Sequence, residues 1–178
     1  PVIHDGKVIV LCDVLTNSFL AAFDVASGKE LWRTQRDEGT GWATPLVVAH
    51  GGKREVVINA TGKVRSYDFD RGKEIWSSSG QTANAIPTPV ASEDTIFVTS
   101  GFRGAALHAI KMGKTGELSG PDSIRCMHNK NTPYVPSPLL ADDLLYFVSN
   151  NDGKLSCLDI KSGAPHFEAE RLEKVFSV

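Results

Sequence analysis

The sequence predicts an all-β fold, a β-propeller of four-stranded antiparallel blades with about four blades present. Three observations carry that expectation. A segment of about 44 residues recurs along the 178-residue chain, each unit breaks into short strand-like runs separated by turn chemistry, and some runs are apolar on both faces.

The repeat shows best between Phe23-Asp24-Val25-Ala26-Ser27-Gly28-Lys29-Glu30-Leu31-Trp32 and Tyr67-Asp68-Phe69-Asp70-Arg71-Gly72-Lys73-Glu74-Ile75-Trp76, which nearly superimpose at a spacing of 44. Lys114-Thr115-Gly116-Glu117-Leu118 and Asp159-Ile160-Lys161-Ser162-Gly163 read as weaker copies, with Phe167 in the tryptophan position. Prolines at 1, 45, 89 and 138 keep the same phase, most inside Thr-Pro or Ser-Pro strand openings. The two markers divide one propeller segment, 1–178, into units 1–44, 45–88, 89–137 and 138–178.

Within the second unit, Thr44 to Ala49, Glu55 to Ala60, Lys63 to Phe69 and Glu74 to Ser78 are rich in Val, Ile, Tyr and Trp, which predicts four strands. The breaks carry Gly51-Gly52, Thr61-Gly62 and Asp70-Arg71-Gly72, and elsewhere Asp5-Gly6 and Asn151-Asp152-Gly153. These favour hairpins over parallel crossovers. No stretch of ten or more residues holds a helical period. Val8 to Cys12 and Leu144 to Val148 are apolar on both faces, so each sheet must be covered twice, as in stacked blades. The recurring motif has a mechanical reading too. Asp24 or Asp68 accepts backbone N–H bonds across the turn, Gly28 or Gly72 supplies positive φ, and Trp32 and Trp76 pack between blades.

Charge narrows the partners. Nineteen Lys and Arg against 21 Asp and Glu leave a net −2, no field to hold nucleic acid. The longest nearly pure apolar run, Val8 to Cys12, is far short of the ~20 residues that span a bilayer, so direct membrane insertion is not expected. Cys12, Cys126 and Cys157 are dispersed and form no C-x-x-C.

At Ala22, Asp24, Ser27, Gly28 and Trp32 the sequence resembles the pyrroloquinoline quinone (PQQ)-like propeller repeat, A-x-D-x-x-[ST]-G-x-x-x-W, and the similarity covers essentially the whole chain. That superfamily includes quinoprotein dehydrogenases, BamB-type assembly lipoproteins and extracytoplasmic sensor domains, so the resemblance identifies fold more strongly than function. It implies a ring of seven or eight blades, of which this chain holds about half, and a periplasmic or extracellular location. Pro1 aligns inside a strand opening and Lys174 to Val178 lead toward another, so both ends are expected to fall mid-pattern. Remaining blades, or a second copy, would then cover the open blade faces.

No catalytic, cofactor-binding or metal-ligating residue is assigned. Asn151-Asp152-Gly153 reads as a hairpin turn before a Ca²⁺ loop, Cys126-Met127-His128 lacks a second ligand pair, no G-x-S-x-G elbow occurs, and the adjacent cysteines of the family's alcohol dehydrogenases are missing. The sequon Asn59-Ala60-Thr61 lies in or at the end of an apolar strand, which argues for burial. Gly39-Thr40-Gly41 and Gly101-Phe102-Arg103-Gly104 read as inter-strand or inter-blade loops. A binding surface is expected off the strand pattern, with Arg36, Trp42, Arg103, Asn131 and Tyr134 as candidates. Trp42 and Tyr134 have an alternative role in closing the gap between blades. The function expected is a non-enzymatic interaction or scaffold module gripping a protein or polymeric ligand through rim loops. The alternatives are part of a PQQ- and Ca²⁺-dependent dehydrogenase, or the sensor domain of a larger protein.

Overall fold

The computed structural model describes residues 1–149 and 153–172. Asn151 and Asp152 of the expected hairpin, and Lys174 to Val178, lie outside the described residues, as do the side chains of Cys126 and Met127.

Each unit folds into an antiparallel meander, because its turns carry residues that tolerate the left-handed backbone. Asp5 and Gly6 both have positive φ, as do Gly51 and Gly52. Blade 1 runs β1 (Val2–His4), β2 (Lys7–Cys12), β3 (Phe19–Asp24) and β4 (Glu30–Gln35), hydrogen-bonded in that order. Blade 2 runs β5 (Leu46–His50), β6 (Lys53–Asn59), β7 (Lys63–Asp68) and β8 (Glu74–Ser79). Blade 3 comprises β9 (Val90–Ala91), β10 (Thr95–Ser100), β11 (Ala106–Lys111) and β13 (Ile124–His128), and blade 4 comprises β14 (Leu139–Ala141), β15 (Leu144–Ser149), β16 (Lys154–Asp159) and β17 (Pro165–Arg171). No helix among the described residues is long and apolar enough to cross a membrane.

The third copy of the motif differs from its reading in the sequence. In blades 1, 2 and 4 the aspartate closes a tight turn: Asp24, Asp68 and Asp159 donate their N–H to the carbonyls of Lys29, Lys73 and Ala164, five residues on. In blade 3 the corresponding Lys111 reaches Ser123 instead, twelve residues on. The extra residues carry β12 (Gly116–Leu118), which adds in parallel to β8 of blade 2 with Gly116 opposite Trp76. Gly116 is therefore not the turn glycine of its own blade. The glycine marker stays in phase because it lies beside the preceding blade's tryptophan.

Three apolar clusters lie between successive blades. Ile9, Leu20 and Ala22 meet Val56, Ile58, Tyr67 and Phe69. Val57, Val64 and Trp76 meet Ile96, Val98 and Ile110, with Leu118 of β12 sealing the cluster. Phe97, Leu107 and Ala109 meet Leu145, Phe147 and Leu158. Trp32 and Trp76 thus pack between blades, and the indole N–H of Trp32 donates to the Phe69 carbonyl of the next blade at 3.1 Å. Gly72 is needed twice over, since its φ is +69° and a Cβ there would lie 2.4 Å from the Trp32 ring. Among the described residues no cluster joins blade 4 to blade 1.

Candidate functional site

The loops that leave each outer strand for the next blade emerge on one rim, together with the loops between second and third strands. All five candidate residues sit in these loops or at the ends of their strands. The loops are tied down by hydrogen bonds to their own and the following blade. Thr61 Oγ1 donates to the Thr40 carbonyl and accepts from Asn84 N–H, while Thr132 Oγ1 donates to the Ser100 carbonyl and accepts from Ala106 N–H. Isolated bridges join Asp13 to Gly41 and Ala83 to Phe102. The rim is therefore a fixed surface, because its backbone polar groups find partners in the blades beneath.

Arg36 is not on that surface. Its side chain is fully buried, its Nε and Nη2 hold the two carboxylate oxygens of Asp13 at 2.8 and 3.0 Å, and its Nη1 donates to the Tyr67 hydroxyl of blade 2. The candidate is corrected from a binding residue to an inter-blade strut, a role invisible in the sequence because Asp13 lies 23 positions away. Arg65 forms a second knot at the same seam, pairing with Glu38, Asp37 and Glu74 at 2.6, 2.8 and 3.0 Å. Burial pushes the Glu38 carboxyl up and the Arg65 bond opposes that rise. Burial also pushes the Tyr67 hydroxyl up to about 12, so it stays protonated as donor and acceptor.

Trp42 is exposed, at 57%, although its backbone N–H is anchored to the Ala85 carbonyl of the next outgoing loop at 2.9 Å. The Asp13–Gly41 bridge sets Val14 and Leu15 on the adjoining loop, and Leu15 is 87% exposed. Sequence reasoning missed these two. Their signal was an apolar pair in a turn that no strand period requires.

Arg103 and Tyr134 come together through Phe102. The Phe102 and Tyr134 rings lie 5.0 Å apart at 31°, and the Arg103 guanidinium stands 5.1 Å from the Phe102 centroid. Tyr134 is half-buried, so it closes this loop pair as well as lining the rim. Gly101 permits the arrangement, since a Cβ there would lie 2.7 Å from the Thr132 and Pro133 carbonyl oxygens. Asn131, with φ +51°, donates its amide to Glu168 of β17 at 3.3 Å and so bridges blades 3 and 4. Asn59 is fully buried, donating to the Pro87 and Thr99 carbonyls. Among the described residues no three His, Cys, Asp or Glu side chains gather as a ligand set.

A family model described as outer membrane protein assembly factor BamB matches residues 1–168. The crystal structure of BamB from Moraxella catarrhalis is similar at TM-score 0.63 and 16% identity, over 91% of this chain and 49% of that one. Quinohemoprotein alcohol dehydrogenase from Comamonas testosteroni is similar at TM-score 0.71 and 13% identity, over 96% of this chain and 34% of that one. Its counterpart from Pseudomonas putida gives 0.68 and 13%, over 96% and 33%. The chain thus spans about half the length of the first structure and a third of the others, and at these identities the likeness is one of fold. No curated protein matches the sequence.

Proposed function

We propose that this chain, which belongs to the outer membrane protein assembly factor BamB family, is an interaction module whose rim grips an extended protein or polymeric segment. The observation that supports this most is Trp42. A large aromatic left in water on an anchored backbone, with Leu15 and Val14 on the neighbouring loop, is an apolar contact surface whose ordering cost is already met by the fold. The Phe102–Arg103–Tyr134 cluster supplies a second contact farther along the rim, with a cation that favours carbonyl or carboxylate groups. Binding of this kind uses no metal or quinone. The family's description as an outer-membrane assembly factor supports a working place outside the cytoplasm.

Immobilised arrays of extended peptides, some bearing aliphatic and aromatic side chains and some purely polar, test the reading. The protein is expected to retain apolar peptides, and Trp42→Ala is expected to lose most of that retention with its melting temperature unchanged. Equal retention by wild type and Trp42→Ala, or unfolding of the variant, would overturn it.

A further inference from the structure

Charge divides the rim. Residues 60–63, 80–89, 101–105 and 129–138, which make the rim over blades 2 and 3, contain Lys63, Arg103 and Lys130 but no Asp or Glu. The chain as a whole carries 21 acids against 19 bases, so this positive sign is local. Arg103 and Lys130 are exposed and Lys63 is half-buried. Among the described residues none of the three forms an ion pair, and the Arg103 guanidinium stands beside the Phe102 ring instead.

Elsewhere acids and bases are mixed and meet. Over blade 1, Arg36 holds Asp13, and Arg65 holds Asp37 and Glu38. At the opposite end of the blades Lys7, Arg54, Arg125 and Lys161 meet Asp70, Asp5, Asp94 and Asp143. Glu168 of β17 is engaged by the Asn131 amide at 3.3 Å and His128 Nε2 at 3.5 Å, and Lys130 is not part of that contact.

The apolar and cationic parts of the rim are continuous. Trp42 N–H donates to the Ala85 carbonyl, Ala83 bridges to Phe102 beside Arg103, and the Phe102 ring meets Tyr134 of the segment that carries Lys130. A ligand running from blade 1 to blade 3 therefore meets Leu15 and Trp42 first, and Arg103 and Lys130 after them. Exposed cations without a carboxylate of their own favour an anionic partner. A nucleic acid would bring a phosphate at every step, whereas here few cations are separated by rings, a spacing that suits carboxylates set among apolar side chains.

We propose, resting on the rim as the binding surface, that the extended segment it holds is an acidic peptide. Aliphatic or aromatic side chains lie on Trp42 and Leu15 over blade 1, and Asp or Glu side chains lie at Arg103 and Lys130 over blade 3.

Labelled peptides with one shared aliphatic and aromatic core, flanked by Glu, Gln or Lys, test this when titrated against the protein by fluorescence anisotropy. The Glu-flanked peptide is expected to bind ~10-fold more tightly than the Lys-flanked one at low salt, with the Gln-flanked one between. The difference is expected to vanish at about 0.5 M salt. Arg103→Glu with Lys130→Glu, both at exposed positions, is expected to reverse the order with the melting temperature unchanged. If that double variant does not fold, Lys130→Glu alone is expected to shrink the difference. Equal affinities for the three peptides, with Trp42→Ala still weakening all of them, would overturn the acidic assignment and leave the rim as the binding surface. Affinities that Trp42→Ala leaves unchanged would overturn the rim itself. Tighter binding of a single-stranded RNA or of phosphatidylglycerol vesicles than of the Glu-flanked peptide would overturn the peptide as occupant.

Discussion

Arg36 of the first blade donates to the Tyr67 hydroxyl of the second while both oxygens of Asp13 grip its other nitrogens, and all of this happens away from solvent. A pair so placed gains little over an apolar substitute but is costly to break, because the survivor is left charged and dry. Arg36→Ala is therefore expected to lower stability by ~3–5 kcal/mol. Tyr67→Phe, which removes one hydrogen bond and leaves the ion pair, should cost ~1 kcal/mol. Urea unfolding of the two variants checks the order.

Gly72 and Gly6 separate two reasons for a glycine. Both have positive φ, but a Cβ at Gly72 meets the Trp32 ring at 2.4 Å, whereas one at Gly6 meets nothing within 4 Å. Gly6→Ala carries backbone strain alone, ~1 kcal/mol. Gly72→Ala adds displacement of an inter-blade tryptophan and is expected to cost at least 1–3 kcal/mol more. Thermal melts compared with indole fluorescence distinguish them, since only the second should shift the Trp32 emission.

What the sequence could and could not reveal follows from range. Turn chemistry and strand alternation are local, so the meanders, the packing of Trp32 and Trp76, and the Asp–Gly turns were readable from single units. The third unit misled because its inserted strand keeps a glycine in phase while pairing with blade 2. Arg36 misled for the same kind of reason, since a charged residue just past a strand reads as exposed until Asp13 and Tyr67, 23 and 31 positions away, are folded against it. Arg103 and Tyr134 were legible as rim residues, but the Phe102 ring that joins them is seen only in three dimensions.

His108 gives the seam between blades 2 and 3 a pH dependence. Its ring lies against Gly80 in a cleft of about 470 Å³ shared with Glu117 and Ser119, its Nδ1 is buried without a partner, and burial lowers its pKa from 6.5. The folded protein thus binds the proton less readily than the unfolded chain does. Stability from this group is complete above about pH 6.5 and falls as the pH drops toward the lowered value. Asp24 and Asp159, held below the usual carboxylate value of 3.8 by Ser27 and Ser162, act only at lower pH, whereas Glu38, raised by burial, acts with the opposite sign and is common to wild type and variant. The melting temperature of wild type should fall between pH 7 and 5, and His108→Gln should flatten that slope. A parallel slope in the variant would assign it to other groups.

Gly101 tests whether the second rim cluster is set by backbone contact. The residue needs no unusual φ, yet a Cβ would lie 2.7 Å from the carbonyl oxygens of Thr132 and Pro133, which are main chain and have no rotamer by which to yield. Gly101→Ala must therefore push the Asn129–Tyr134 segment away from blade 3, loosening the Thr132 bonds to Ser100 and Ala106 and parting the Tyr134 and Phe102 rings now 5.0 Å apart. The expected cost is ~1–3 kcal/mol, with a loss of near-ultraviolet dichroism from tyrosine and phenylalanine. Gly39→Ala on the first outgoing loop is the control. Its Cβ would rest 3.7 Å from the Thr61 methyl, an ordinary contact, so stability and aromatic signal should both hold. If Gly101→Ala behaves like Gly39→Ala, the loop is freer than these contacts require and Tyr134 is positioned by the ring contact alone.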